Sequence, residues 1–293
     1  MKCLNLGCGH RFHSSWTNVN FTVTGEGVLA HNLTQGIPFP DASFDVVYHS
    51  HLLEHFPKCS AELFLRECHR VLRPEGILRV VVPDLEQIAQ IYLFTLEQAN
   101  AGSPEGIANY EWVLLEMYDQ AVRHTYGGEM KAYLTREDIP NEKFILKRFG
   151  SEAKTLIETG RQHRQQSQSV KVQKSRLKRV LSRIYRCLRY PAYRREILLK
   201  LLLGQEYSTL QIGRFRQSGE IHQWMYDRYS LSVLLKKCGL EQTVQRSATE
   251  SYIPNWTSFN LDTEPDGEIY KPESLYMEAL KPAIYRSTSP EAI

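Results

Sequence analysis

The residues of this chain best suited to proton transfer lie in the segment "HSHLLEH", which places three histidines beside a glutamate. Histidine titrates near neutral pH and often serves as a general base. We predict that His51 and His55 are catalytic, with His51 as the base. The segment is predicted to start a helix or a loop, and in a helix the four-residue spacing would place both rings on one face. Helix capping or packing is the alternative for this group.

Two further groups carry polar side chains suited to contact with a substrate. Asp84 follows the apolar run "ILRVVVPD" and is predicted either to bind substrate hydroxyls as a catalytic residue or to cap the helix that follows. The segment "HQWMYD" combines His222, Trp224, Tyr226 and Asp227, a mixture suited to stacking on the face of a sugar. Ordinary core packing is the alternative for this second group.

The residues that bind metals in other proteins do not form a familiar ligand pattern here. The six cysteines include no CxxC pair, which is typical of reduced thiols in a cytosolic protein. Cys3, Cys8 and His10 lie close together, but no second ligand pair follows them. An HExxH pattern is also absent around His51, and the acidic stretch 262–266 favours a hairpin connection over a calcium loop. We therefore predict no metal.

The elements that must position these residues alternate over the first ninety residues between strand-like and helix-like patterns. Segments 2–6, 16–21, 28–30 and 44–48 are predicted strands, and "ILRVVVPD" is a fifth. A helix is predicted between them, with Ser60 as its N-cap and with Pro74 and Gly76 after its end. Near-continuous apolar strands separated by crossovers indicate a Rossmann-like, doubly wound α/β fold with a mostly parallel sheet.

The pattern becomes helical after this region and returns to α/β near the end of the chain. We assign 1–92 and 219–282 to the α/β domain, 93–218 to a helical insertion and 283–293 to a disordered tail. In the returning part, "YSLSVLLKKCG" predicts a helix capped by Ser230, and "LEQTVQRSAT" and "SLYMEALKP" predict a final pair of strands.

Charge is distributed unevenly along the chain. The stretch 161–200 has thirteen Lys or Arg residues and one acid, so it carries +12 while all other residues together carry −9. Within it, "RLKRVLSRIYRCLRY" predicts an amphipathic helix. Its apolar face comprises Leu177, Val180, Leu181, Ile184, Cys187 and Leu188.

This basic helix predicts peripheral contact with an anionic membrane through 171–200, with a solvated helix face as the alternative. Nucleic acid is disfavoured, because basic and aromatic residues are not interleaved as in an RNA-binding module. The sequence lacks an apolar run of about 20 residues and a secretory signal. It therefore predicts a cytoplasmic protein, in peripheral contact with the inner face of the membrane.

The opening "MKCLNLGCGH" forms a turn that lets the backbone approach a ligand closely. A dinucleotide site requires GxGxxG and a helix that faces the diphosphate, yet Phe12 stands where the third glycine belongs. Only ten residues separate Gly9 from Asn20, which is barely enough for one helical turn. The turn therefore favours a smaller ligand with an uncharged or cationic edge.

The order of four segments is more specific than the turn alone. "LNLGCGH", "WTNVNF", "GIPFPDASFDVVYHSHLLEHF" and "FLRECHRVLRPEGILRVVVPD" follow one another at tight spacing. This series resembles the type 11 group of class I S-adenosylmethionine-dependent methyltransferases, over about residues 2–92 and 219–282. The C-terminal part, from "HQWMYDRYSLSVLLKKCGL" onward, is similar to a subgroup often encoded beside surface-polysaccharide genes.

The resemblance implies a strand order of 3-2-1-4-5-7-6 and S-adenosyl-L-methionine as the cofactor, held at the carboxyl ends of the first strands. By position, the glycine turn would line the methionine and ribose, Asn20 the ribose, Asn32 and Leu33 the adenine, and His49 the space beneath the sulfonium. The cofactor-binding residues implied in this way are Asn5, Gly7, Cys8, Gly9, Asn20, Asn32, Leu33 and His49.

The chain departs from the family at two of these positions, since Asn20 and Asn32 replace acids. Losing the charged partner of the ribose hydroxyls is expected to cost on the order of 1–2 kcal/mol, about tenfold in affinity. The resemblance predicts O-methylation of a saccharide or glycolipid acceptor. A catalytically degenerate binding or scaffold protein is one alternative, and an RNA or small-molecule methyltransferase is another.

Overall fold

A computed structural model describes residues 1–169, 182 and 185–283 of the chain. Its centre is one seven-stranded sheet in the order β3-β2-β1-β4-β5-β7-β6. All neighbouring strands are parallel except β7, which runs antiparallel to both β5 and β6. The strands are β1 (Cys3–Leu6), β2 (Thr17–Asn20), β3 (Val28–Ala30), β4 (Phe44–Ser50), β5 (Leu72–Pro83), β6 (Glu241–Arg246) and β7 (Ser274–Leu280). The predicted fold class and strand order are confirmed.

Eight α-helices with assigned bounds accompany the sheet in the described residues, which also include a helical stretch at 185–189. They are α1 (Lys58–Val71), α2 (Leu85–Asn100), α3 (Pro104–Val122), α4 (Gly128–Leu134), α5 (Glu142–Ser169), α6 (Pro191–Leu203), α7 (Glu206–Arg216) and α8 (Arg228–Lys237). Three short 3₁₀ helices lie at Leu33–Gln35, Leu53–His55 and Trp256–Phe259. Helices α2 to α7 lie between β5 and α8 and are called the helical insertion below; the bounds 93–218 stay a prediction.

Two of the predicted helix starts are wrong. Helix α1 begins at Lys58 after Pro57, so Ser60 lies inside it, and it ends at Val71 because Leu72 already pairs with Phe44 in the sheet. Helix α8 is capped by Asp227, whose side chain accepts hydrogen bonds from the backbone of Tyr229 and Ser230. Ser230 instead completes this capping box from the third position of the helix.

The two faces of the sheet are covered differently. On one face α1 and α8 pack on apolar residues of the strands, as expected for a doubly wound fold. Residues 7–16, between β1 and β2, are all described and none is helical. An aromatic cluster that includes Trp16, Tyr48 and Trp256 covers that part of the other face instead.

A buried ion cluster fixes the chain segment that carries this aromatic cover. Arg79, on β5, forms ion pairs with Asp262 at 2.8 Å and with Glu278 at 2.9 Å. It also donates hydrogen bonds to the backbone carbonyls of Ser247 and Glu250 and lies 4.5 Å from the ring centre of Trp256. Because both acids are almost fully buried, the cluster is intolerant of losing one member.

The helical insertion has a hydrophobic core of its own, built around Trp112, Tyr133 and Ile145. It meets the α/β part where α5 breaks at Gly150, whose φ is 55°. A Cβ at this glycine would lie 2.6 Å from the carbonyl oxygen of Tyr270, so the two segments touch backbone to backbone. The boundaries proposed for the two parts stay predictions.

Most of the predicted basic amphipathic helix lies outside the described residues. This holds for Leu177, Val180, Leu181 and Ile184, and also for residues 284–293 of the predicted tail. No helix among the described residues is both long and apolar enough to cross a membrane.

Candidate active site

The turn after β1 presents bare backbone at the edge of the sheet. Gly7 and Gly9 have φ values of 66° and 53°, in the left-handed region that favours glycine. A Cβ at Gly7 would come within 2.8 Å of Leu52, whereas a Cβ at Gly9 would find no atom within 4 Å. Because the segment after the turn is not helical, there is no helix N-terminus here to hold a diphosphate.

A cavity of about 340 Å³ opens above this turn, at the carboxyl ends of β1 and β4. This is the position that ligands occupy in open α/β sheets, and the volume is of the size that small-molecule sites have. Its lining residues are Asn5, Gly7, Cys8, Gly9, His10, Arg11, Tyr48, Ser50, His51, Leu261, Tyr270 and Lys271.

Two cations stand in the wall of this cavity. Arg11 stacks on the ring of Tyr270 at 3.9 Å and pairs with Glu264 at 3.2 Å. Lys271 pairs with Glu152 of α5 at 3.0 Å. Burial opposes the charged form of Lys271, but Glu152 and Glu273 outweigh it and raise its pKa to about 12. Both side chains therefore stay cationic and offer partners to a carboxylate.

The predicted cofactor residues nearest to the turn brace its backbone. Asn5 donates from its amide to the carbonyl of Arg11 and to Asn18. Asn20 accepts from the backbone of Gly9 at 3.3 Å and donates to the carbonyl of Thr22 at 3.1 Å. The side chain predicted to meet the ribose is thus already engaged in holding the turn.

The remaining predicted cofactor residues lie in different surroundings. Cys8 is buried and lines the cavity, and burial raises the pKa of its thiol. Asn32 caps the 3₁₀ helix Leu33–Gln35, and Leu33 is buried in the core. His49 is fully buried against Phe64, and burial lowers its pKa to about 3. Asn32, Leu33 and His49 are not among the described residues that line the cavity, so their roles stay predictions.

The cavity suits S-adenosylmethionine in most respects. The glycine turn leaves room for the ligand, and Arg11 and Lys271 provide cations for the carboxylate of its methionine part. Tyr48 and Tyr270 add aromatic wall. A charged acceptor for the ribose hydroxyls at Asn20 is missing, which is the departure expected from the sequence.

His51 connects the cavity to a buried polar group behind it. Its Nε2 lies 2.8 Å from the hydroxyl of Ser274, and its Nδ1 lies 3.4 Å from a carboxylate oxygen of Glu54. Its backbone has a φ of 49°, which is strained for a residue with a side chain. The histidine is therefore fixed on both sides by its neighbours.

Burial sets the protonation of this group. It lowers the pKa of His51 well below the usual range, and Lys271, His222 and His55 act in the same direction. Burial also raises the pKa of Glu54 to about 8. At neutral pH His51 is accordingly a neutral imidazole, the form that can accept a proton.

His55 reaches the same region by a route that the sequence did not predict. Of the two conformations predicted for this segment, a helix or a loop, the structure shows a loop: His51 has a left-handed backbone and is followed by the short 3₁₀ helix Leu53–His55. The ring of His55 instead meets that of His222, with ring centres 4.8 Å apart. Burial lowers the pKa of His55 to about 4 and that of His222 well below its usual range.

Most of the other residues that the sequence suggested for a functional role have structural roles. Asp84 caps α2 by accepting from the backbone of Glu86 at 3.0 Å, which confirms the capping alternative and leaves its catalytic role a prediction. Tyr226 is buried in the core, while Trp224 is exposed beside Lys58. The stretch 262–266 belongs to a hairpin closed by a bridge between residues 263 and 269, as predicted.

Four functional residues escaped the sequence reasoning, namely Arg11, Tyr270, Lys271 and Ser274. Only Arg11 had a local signal, since it follows the glycine turn directly. The other three lie beyond residue 269: Tyr270 and Lys271 line the cavity and Ser274 contacts His51, because β7 inserts antiparallel beside β5. No spacing in the sequence predicts that these residues approach the cavity and His51.

The strand order, with β7 between β5 and β6, is that of the class I methyltransferase fold, and the cavity lies at the carboxyl ends of β1 and β4. Residues 15–80 match the profile of a family described as "Methyltransferase domain", of type 11. Residues 15–80 thus carry the signature of the type 11 group of class I S-adenosylmethionine-dependent methyltransferases. S-adenosylmethionine, the cofactor of that group, is confirmed as the predicted cofactor.

The sequence relatives match over a short segment. Two Mycobacterium tuberculosis proteins, from strains CDC 1551 / Oshkosh and H37Rv, are each named "Probable S-adenosylmethionine-dependent methyltransferase". Each is 44% identical over 57 residues, which is 20% of this chain and 20% of the relative. The match thus spans only a fifth of these relatives' length.

The similar solved structures are distant. An S-adenosylmethionine-dependent methyltransferase from Mesorhizobium loti is 17% identical over 30% of this chain and 47% of its own, with a TM-score of 0.24. One from Archaeoglobus fulgidus is 11% identical over 96% of this chain and 86% of its own, with a TM-score of 0.37.

Proposed function

We propose that the chain transfers the methyl group of S-adenosylmethionine to a hydroxyl group of a saccharide or glycolipid. The observation that carries the proposal is the position of His51, a neutral imidazole in the wall of the cavity above the glycine turn. A hydroxyl nucleophile has to lose a proton as the methyl group arrives, and a positioned histidine can remove it.

The bound cofactor supplies an electrophilic methyl group on a sulfonium. The chain's own residues do the rest: the turn at Gly7 and Gly9 admits the ligand, and Arg11 and Lys271 neutralise its carboxylate. His51 accepts the proton of the acceptor hydroxyl on Nε2, where Ser274 now lies at 2.8 Å. Glu54 lies 3.4 Å from the other ring nitrogen and is a positioning residue.

The acceptor class rests on Trp224, whose backbone amide donates to the carbonyl of Glu54, and on the subgroup resemblance. Trp224 is 41% exposed and provides a flat apolar face of the kind that stacks on sugar rings. The acceptor is expected between this face and the cavity wall.

The direct experiment is transfer of tritium from labelled S-adenosylmethionine to fractionated cell extract, followed by analysis of the labelled product. Label in a carbohydrate or glycolipid fraction supports the proposal. Label only in RNA or in free small molecules contradicts the acceptor class, and no label in any fraction contradicts the activity.

A second candidate is a binding protein on the same fold that does not turn over. Asn20 favours it, because its side chain holds the glycine turn and lacks the charge that the ribose hydroxyls prefer. Calorimetry separates the two: absence of binding at millimolar S-adenosylmethionine favours the binding protein, whereas binding in the micromolar range favours the enzyme.

We further propose that the hairpin of α6 and α7 contacts an anionic membrane. Neither helix buries a residue, and Leu198, Leu201 and Leu202 are more than half exposed. Arg194, Arg195 and Lys200 on α6 are exposed among these leucines. Exposed leucine next to cationic side chains is the composition that binds an anionic lipid surface. This contact would bring a lipid-linked acceptor to the enzyme.

A further inference from the structure

We propose that Glu54, His55 and His222 bind one divalent transition-metal ion of the zinc type. One ligand atom from each residue lies within 4.8 Å of the others. The three residues come from the exit of β4 and from the segment before α8. The proposal goes beyond methyl transfer and does not depend on the acceptor.

The carboxylate of Glu54 is the observation that points to a cation. Its side chain is fully buried, and neither oxygen has a hydrogen-bond partner within the described ranges. The closest positive or polar neighbour with a measured contact is His51 Nδ1, at 3.4 Å, which is too long for a good hydrogen bond. An unpaired buried carboxyl group is costly, and a bound metal ion would satisfy it.

The orientation of His55 leaves a nitrogen for the metal. Its Nδ1 lies 3.2 Å from the carbonyl oxygen of Ile221. A carbonyl oxygen only accepts, so Nδ1 carries the hydrogen and Nε2 keeps the free lone pair. A histidine that donates one ring nitrogen to a backbone carbonyl is the usual arrangement of a metal ligand, because the carbonyl fixes both tautomer and ring direction.

Backbone contacts hold the two ligand-bearing segments together before any metal arrives. The amide of Gln223 donates to the carbonyl of Glu54 at 2.7 Å. The amide of His222 donates to the carbonyl of Gln120 on α3 at 2.9 Å. These backbone hydrogen bonds keep Glu54 and His222 close together, so binding of the metal ion requires movement of side chains only.

The ligand set selects the kind of metal. Two imidazoles and one carboxylate suit zinc and neighbouring transition metals, whereas magnesium and calcium prefer oxygen ligands. With zinc–nitrogen distances of about 2.0–2.1 Å, ligand atoms in a tetrahedral site lie about 3.4 Å apart. The present spacing of up to 4.8 Å therefore has to close by at most about 1.4 Å, within the reach of side-chain rotation. Three protein ligands leave a fourth position open.

Bound here, the ion would fix the carboxylate that contacts His51. It would also join the exit of β4 to the segment before α8. The expected consequence is a stiffer base-bearing loop and a more stable fold. Both can be measured without any methyl acceptor.

The test is a titration of the full chain with zinc and with cobalt, after removal of metal by a chelator and of any affinity tag. Every sample carries Cys59→Ser, because this exposed thiol is itself a zinc ligand. His222→Asn and Glu54→Gln each remove one ligand. His124→Asn, at an exposed histidine outside the cluster, is the matched control.

We expect one zinc ion per chain with micromolar or tighter affinity, at least about tenfold weaker binding in both ligand variants, and unchanged binding in the control. Cobalt should give the intense visible bands of a four- or five-coordinate ion. Binding that is equal in all variants, or a cobalt spectrum like that of the hydrated ion in the unsubstituted chain, overturns the site. The cobalt result needs no ligand variant to fold. Calorimetry with S-adenosylmethionine on the same samples reports the methyltransferase site separately.

Discussion

His51 carries its role through its conformation as much as through its chemistry. Its positive φ is a strained conformation for a residue with a side chain, whereas a glycine would adopt it without strain. Its backbone amide donates to the carbonyl of Val81 at 2.9 Å, and Ser274 holds its ring, so the fold retains this conformation. A residue kept in a strained backbone conformation at the edge of a ligand cavity is a candidate for function rather than for stability.

Replacing His51 by Gln is expected to lower kcat by about 10²–10⁴-fold, the usual contribution of a general base. The affinity for S-adenosylmethionine should change by less than about threefold, since the cofactor is held by the turn and by the two cations. Methyl transfer and calorimetry on the same preparation measure both. An unchanged kcat in His51→Gln contradicts the base, and the exposed His124→Gln serves as the control.

Gly7 and Gly9 form a matched pair for testing the cofactor turn. Both have positive φ, so alanine costs about 1 kcal/mol of strain at either position. The Cβ at Gly7 also meets Leu52, whereas the Cβ at Gly9 points into open space above the turn. Gly7→Ala should therefore cost more free energy of unfolding than Gly9→Ala, measured in urea.

The order should reverse for cofactor affinity, because a methyl group at Gly9 occupies space that the ligand needs. We expect at least about tenfold weaker binding of S-adenosylmethionine to Gly9→Ala, or about 1.4 kcal/mol. Equal binding in Gly9→Ala and the unsubstituted chain would mean that the ligand does not lie over this turn.

The raised pKa of Glu273 makes the free energy of unfolding depend on pH. Burial raises its pKa to about 8, from about 4.3 in an unfolded chain. Between these values the folded state keeps a proton that the unfolded state has released, so stability falls as pH rises through this range. Glu273→Gln removes this contribution. It should be near neutral at pH 5 and stabilising by about 1–3 kcal/mol at pH 8.5.

Urea unfolding at the two pH values measures this effect. The exposed Glu268→Gln should leave the pH dependence unchanged. If Glu273→Gln shows the same loss of stability between pH 5 and 8.5 as the unsubstituted chain, Glu273 is ionised throughout and the assignment is wrong.

At the level of elements, the hairpin of α6 and α7 is stabilised mainly from within. Arg214 and Tyr207 of α7 both bond to Glu196 of α6, at 2.8 Å each. The leucines around this contact face outward. Such a hairpin gains little from the rest of the molecule, so a partner surface is the simplest reason for its apolar residues.

The double variant Leu201→Glu/Leu202→Glu should reduce binding to vesicles of phosphatidylglycerol and phosphatidylcholine by more than about tenfold, because two leucines lose their insertion energy. Co-sedimentation measures the bound fraction. Leu93→Glu/Phe94→Glu, an equally adjacent and exposed apolar pair on α2, should bind as before. Binding that both double variants lose equally, or that persists in neutral vesicles, would reject the hairpin as the membrane contact.

The elements show which parts of the fold the sequence could predict. Buried parallel strands are visible in the sequence as apolar runs, so β1, β3 and β4 were predicted close to their observed bounds, whereas β5 begins at Leu72, five residues before the predicted start. The missing helix between β1 and β2 followed from the ten residues available there. The starts of α1 and α8 failed because a proline and an aspartate competed with nearby serines for the same role.

The site was harder to predict because it is assembled from distant parts of the chain. The glycine turn and His51 lie in local motifs and were found. Lys271 and Ser274 depend on the antiparallel insertion of β7, and His222 depends on a backbone contact to Glu54. In the sequence, Arg79 is one residue of an otherwise apolar strand. In the structure it forms buried ion pairs with Asp262 and Glu278, which lie far along the chain. Long-range pairing of this kind leaves no periodic signal.

Across the whole molecule, the helical insertion contacts residues that line or support the cavity. Glu152 of α5 pairs with Lys271, and Ser151 donates to Glu264, the partner of Arg11. Both cations of the cavity are thus positioned through one turn of α5. That turn follows Gly150, where the two parts of the chain come closest.

Gly150→Ala tests this coupling, because the added methyl group would meet the carbonyl oxygens of Tyr270 and Ile269 at 2.6 and 2.8 Å. Its backbone, with φ 55° and ψ −141°, is also one that only glycine adopts readily. We expect a loss of about 1–3 kcal/mol of unfolding free energy and about tenfold weaker cofactor binding. Gly213→Ala, in α7 with open space around it, should instead gain up to about 1 kcal/mol and bind normally. Weakened stability with unchanged cofactor affinity in Gly150→Ala would show that the insertion supports the fold but not the cavity.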